Sequence, residues 1–156
     1  MAVSLGPDGL VLDTLTIPDD SGGAVIQVVS NTDTTSRTST GTTTDSASVS
    51  ITPKSSGNKV LFICNMSIES YGNGSDRGVF LRLRRGSAVL KSSTYNLYMS
   101  SDTSQRIGEV TYCFLDSPNT TSATAYKFDF RPTGSSATAR VNNYSFSTLT
   151  VIEVAV

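Results

Sequence analysis

Apolar positions in this chain fall in short runs or strict alternation, separated by small polar residues. The longest run, Asn58-Lys-Val-Leu-Phe-Ile-Cys-Asn-Met-Ser-Ile-Glu-Ser70, opens directly after the turn-forming Pro53-Lys-Ser-Ser-Gly57. Ala125-Tyr-Lys-Phe-Asp-Phe130 alternates cleanly, which puts Tyr126, Phe128 and Phe130 on one strand face and Lys127 and Asp129 on the other. Ser48–Thr52 alternates in the same way, the mark of a strand with one wet face. Further strands are expected at 24–30, 78–85, 88–91, 107–115, 137–141 and 148–154. Gly86-Ser87 closes a hairpin, and residues 71–76 and 92–106 read as polar loops. Residues 32–46, rich in Thr, read as an exposed strand or long loop.

No convincing helical pattern interrupts this plan. About eight or nine closely spaced strands argue an all-β fold, a β-sandwich or jelly roll. Residues 1–23 differ: Pro18 and the Gly22-Gly23 pair break the pattern. They read as a short extended N-terminal arm or stem for docking, ahead of a β-jelly-roll domain at 24–156. Its apolar residues Val3, Leu5, Leu10, Val11, Leu12, Leu15 and Ile17 are the candidates for docking on a partner by adding strands or filling grooves.

The composition narrows function. Ser and Thr supply nearly a third of the 156 residues, and the net charge is only −1. That charge lacks the basic excess of a nucleic-acid binder, and no run of about 18 apolar residues offers a membrane span. Histidine is absent, so no Ser-His or Cys-His pair can form and no zinc set of ordinary composition is available. The acids Glu69, Asp102, Glu109, Asp116, Asp129 and Glu153 are scattered and form no pair legible in the sequence. The expectation is a protein with no enzymatic activity, no catalytic residues, no cofactor and no metal. Cys64 and Cys113 both lie inside β runs and read as buried free thiols, with a disulfide open only if their strands are neighbours.

Two groups of polar residues stand out. Arg77, Arg82, Arg84 and Arg85 crowd one hairpin, with Arg82 and Arg84 on the face opposite Leu81 and Leu83. They suit a solvated sheet face, an ionic patch against a partner chain, or a site for an anionic glycan. Tyr71, Tyr95, Tyr98 and Tyr144 lie in or beside polar stretches, where tyrosine either plugs the end of a sandwich or contacts sugars and proteins.

The order of segments also resembles a module of tail-fibre and other virion proteins of tailed bacteriophages. The matching stretches are Val25-Ile-Gln-Val-Val, Val49-Ser-Ile-Thr-Pro-Lys-Ser-Ser-Gly-Asn-Lys-Val-Leu, Phe80-Leu-Arg-Leu-Arg-Arg-Gly-Ser, Phe114-Leu-Asp-Ser-Pro-Asn-Thr-Thr-Ser-Ala-Thr-Ala-Tyr-Lys and Leu149-Thr-Val-Ile-Glu-Val. The resemblance implies a homotrimer of jelly rolls, similar in outline to the heads of the complement and tumour-necrosis-factor superfamily, and it carries no catalytic residues. The expected role is that of a virion structural protein attached through its arm to another virion protein, as capsid decoration, head fibre or short tail fibre. The alternative is a tail-fibre head for host attachment, recognising a host surface glycan.

Overall fold

The computed structural model describes residues 4–6, 9–11, 23–72, 76–100, 105–134 and 136–156. Among these the secondary structure is entirely β. The strands are β1 Ser4–Gly6, β2 Gly9–Val11, β3 Val25–Asp33, β4 Arg37–Ser39, β5 Thr44–Ile51 and β6 Lys59–Gly72. They continue with β7 Arg77–Arg85, β8 Ala88–Met99, β9 Gln105–Asp116, β10 Thr124–Pro132, β11 Ala137–Val141 and β12 Ser147–Val154.

Two antiparallel sheets form the sandwich. The first runs β5-β10-β7-β8. The second is centred on β6, which carries β9 along one side. Its other side is divided: β12 pairs with the stretch from Lys59 to Asn65, and β11 with the stretch from Ile68 to Gly72. β3 then flanks β12 and β4 flanks β11. The pairing is nested, β3 with β12, β5 with β10, β6 with β9 and β7 with β8, which is the connectivity of a jelly roll. The sheet is laced at its corner, where Gly23 N donates to Ala155 O at 2.8 Å and Ala155 N donates to Ala24 O at 2.9 Å.

Alternation explains the core. β6 sends Val60, Phe62, Cys64, Met66 and Ile68 inward, and β10 meets them with Tyr126, Phe128 and Phe130. Val49 and Ile51, Leu81 and Leu83, and Leu149 and Val151 complete the layer. Phe62 lies between Tyr126 and Phe128, with ring centroids 6.0 and 5.7 Å away, and these rings supply much of the buried apolar area that drives folding.

Several expectations need correction. Residues 92–99 are strand, not loop: they continue β8, whose pairing with β7 shifts register three times. An edge strand can absorb such bulges, and they scramble the alternation by which a strand is read. β6 runs on through Gly72, past the start of the expected 71–76 turn. Cys113 is exposed, not buried, and Cys64 is buried; both are free. Cys113 pairs with Ile63 in register, so the two thiols stand on opposite faces of neighbouring strands and cannot meet. Within the arm, β1 and β2 pair with each other, Leu5 opposite Leu10 and Ser4 opposite Val11.

Candidate interaction surface

The outer face of each sheet shows what the molecule offers to its surroundings. On the β5-β10-β7-β8 sheet this face is charged and internally paired. Asp129 is fully buried beneath Arg82 and Arg84: Arg82 Nη2 lies 2.8 Å and Arg84 Nη1 3.3 Å from its Oδ2. The hydrogen bond to Asp129 raises the Arg82 pKa, so the guanidinium stays charged. Lys127 pairs with Asp45 at 2.5 Å, and the Arg131 guanidinium stands 4.6 Å from the Phe80 ring centre.

Of the other arginines expected to form a patch, Arg85 holds Asp116 at 2.8 Å, and Tyr126 Oη donates to the same carboxylate at 2.7 Å. Burial first, and that bond second, lift the Tyr126 phenol above its usual range. Arg77 is buried and donates to Gly72 O. The four arginines therefore divide among three intramolecular contacts: Arg82 and Arg84 share Asp129, Arg85 holds Asp116 and Arg77 meets Gly72 O.

The outer face of the β3-β12-β6-β9 sheet is built otherwise. Register places Val28, Ile152, Leu61 and Leu115 in one row across the four strands, Ser30, Thr150, Ile63 and Cys113 in the next, and Thr32, Thr148, Asn65 and Thr111 in the third. None of these side chains is charged. Val28 is 56% and Leu115 51% exposed. The row is invisible in the sequence, because its members are spread over more than a hundred residues and meet only through strand pairing.

The same face turns polar toward the far end of β6. There Glu69 is buried on the outer side, accepting from Gln105, Arg140 and Asn143, and Tyr71 stands exposed beside it. Only Tyr71 and Tyr144 of this cluster stood out as candidate contact residues; the long-range partners of Glu69 carry no local signal. Tyr95 and Tyr98 form a separate exposed pair, ring centroids 5.4 Å apart and edge to face. Tyr98 Oη donates to Asp76, and this bond raises the phenol's pKa. Of the docking residues, Leu5, Leu10 and Val11 belong to the β1-β2 hairpin, while Val3, Leu12, Leu15 and Ile17 lie outside the described residues.

The chain aligns at low similarity with parts of solved virus structures. The infectious bursal disease virus Gx strain aligns with 99% of this chain at 15% identity and TM-score 0.46. The VP2 subviral particle of infectious bursal disease virus aligns with 100% of it at 14% identity and TM-score 0.44. This chain spans less than half of those chains, 44% and 42% of their length. No family model and no curated protein matches it. Among the described residues no group of three or more His, Cys, Asp and Glu is placed to hold a metal ion.

Proposed function

We propose that this chain is a non-enzymatic structural protein of a tailed-bacteriophage virion. Three copies associate through the three uncharged rows on the outer face of the β3-β12-β6-β9 sheet, and the arm at 1–23 attaches the trimer to another virion protein of the capsid or tail. The likeness of five ordered segments to phage virion modules supports the virion setting. The observation that carries self-association is the contrast between the two sheet faces. One sheet meets solvent with paired ions; the other presents a four-strand apolar row. With strands about 4.8 Å apart and rows about 6.8 Å apart, the three uncharged rows span roughly 400 Å², of which the Val28–Ile152–Leu61–Leu115 row and the Ile63–Cys113 pair are the apolar part. Uncharged rows can pack against their own copy without like-charge repulsion, so they suit a homo-oligomer.

Ile152→Asp tests this reading. Ile152 is only half-buried in the protomer, so the variant keeps its β-sheet circular dichroism, but a carboxylate in the shared face meets a desolvation cost that breaks the oligomer. Sedimentation is expected to give an oligomer for the native chain and a single subunit for the variant. Thiol labelling gives a second readout. Burial pushes the Cys64 thiol up to about 12, so near pH 8 only Cys113 reacts, slowly in the oligomer and fast in the variant. A native chain that sediments as one subunit at tens of micromolar, with Cys113 fully reactive, overturns the reading.

A further inference from the structure

Glu69 lies where a carboxylate is costly, since its side chain is only 2% exposed. The cost is met by convergence from three other elements. Gln105 of β9 donates Nε2–H to Glu69 Oε1 at 2.7 Å, and Arg140 of β11 donates Nη1–H to the same oxygen at 3.1 Å. Asn143, in the loop joining β11 to β12, donates Nδ2–H to Oε2 at 2.9 Å.

Two tyrosines are drawn into the same patch. Tyr71 stands opposite Thr138 and Gln105 in register, and the Arg140 guanidinium carbon lies 5.1 Å from its ring centre. Gln105 also donates to Tyr144 Oη at 3.2 Å. These rings are the exposed part of the assembly, Tyr71 at 43% and Tyr144 at 65%. At Asp116, a buried carboxylate bonded to a tyrosine, the ring of Tyr126 is itself buried in the core, whereas here both rings stand at the surface.

We propose that Tyr71, Arg140, Gln105 and Tyr144, fixed around Glu69, bind a sugar that bears a carboxylate. Three features favour that chemistry. Tyrosine faces are electron-rich and match the C–H face of a pyranose ring. The Arg140 side chain is 29% exposed; Glu69 accepts from one terminal nitrogen, and a guanidinium has further N–H donors with which to grip a carboxylate. Glu69 holds these groups in place before any ligand arrives, which lowers the entropy cost of binding. The site does not depend on the assembly reading, because every group in it belongs to one protomer and lies beyond the apolar rows; an oligomerisation failure leaves it intact.

Ligand-observed saturation-transfer NMR on the full chain, with methyl β-glucuronide and methyl β-glucoside titrated in parallel, tests the site. The glucuronide is expected to receive saturation and to bind about tenfold more tightly than the neutral glucoside, the size of one charge-assisted contact. Tyr144→Ala, at an exposed loop position, is expected to abolish the transfer while keeping the native melting curve. Arg140→Lys keeps the charge but loses the fork, and is expected to reduce the preference for the glucuronide. No transfer to either sugar, equal affinity for both, or transfer that persists in the Tyr71→Ala/Tyr144→Ala double variant overturns the proposal. Binding that proves specific to a protein ligand with no response to either sugar does so too.

Discussion

Glu153 is where separate parts of the chain are tied together. It is fully buried in β12. Its Oε1 accepts from Lys54 N at 2.7 Å, Ser55 N at 3.4 Å and Asn58 Nδ2 at 2.6 Å, which pins the turn between β5 and β6. Its Oε2 accepts from Gln27 of β3 at 2.5 Å. Burial alone would raise its pKa, but the bonds from Asn58, Gln27, Lys54 and Ser55 outweigh burial and hold it below the ordinary 4.5. Asp33 is lowered likewise from 3.8: burial opposes ionisation, and Arg37 and Thr35 overcome it. A carboxyl depressed on folding stabilises the native state above its unfolded pKa, and that contribution is lost as pH falls through the folded value. Urea midpoints are therefore expected to hold from pH 7 to about 4.5 and to fall below it. Glu153→Gln keeps the shape but turns an amide N–H toward donors; it should cost about 1–3 kcal/mol at pH 7 and show a shallower acid decline than the native chain. Parallel acid declines would show that Glu153 contributes nothing to it.

At the scale of elements, the strands most legible in the sequence are those whose alternation is set by one buried face. β10 and β7 are of this kind: Tyr126, Phe128, Phe130, Leu81 and Leu83 all point to the core as their spacing requires. The turn at Gly86, with φ of 54° and nothing within 4 Å of an added Cβ, was legible for the same local reason. β8 was not. Tyr95 and Leu97 have φ of 62° and 52°, and Gly78 lets the β8 backbone come so close that an added Cβ would lie 3.0 Å from Tyr95 Cα. Nothing in the sequence of 92–99 announces a bulge that depends on a glycine in another strand. The Glu69 cluster and the apolar row were hidden likewise, since both exist only once β6, β9, β11 and β12 are in register. Gly72 ends β6 at φ 133°, and a Cβ there would overlap the Ser136 carbonyl oxygen. Gly72→Ala is thus expected to destabilise the sandwich by about 2–3 kcal/mol. Gly86→Asn, in open space at a left-handed turn, should change stability by less than about 0.5 kcal/mol. Chemical denaturation of the pair checks both, and equal effects would contradict the description of the β6 end.

Considered whole, the molecule has one sheet face of paired ions and one that carries an apolar row. Ions paired within the chain keep the β5-β10-β7-β8 face soluble, while the opposite sheet keeps an apolar row that no described part of the chain covers. Deleting residues 2–20 is expected to leave a folded, self-associating sandwich that no longer joins the particle, as scored by co-sedimentation with virions or their precursors. A truncated protein that still attaches would remove the arm from its proposed role.

The lacing of Gly23 and Ala24 to Ala155 also fixes how the bead bears load. Tension applied between the start of β3 and the end of β12 would part their rungs one after another, like a zip, and the sheet would yield at low force. In the proposed assembly, tension between the arm and neighbours gripping the broad face would instead be shared by many rungs at once. A tether that must survive collisions is therefore better served by an anchor at one extremity and a clasp across the flank than by anchors at both extremities.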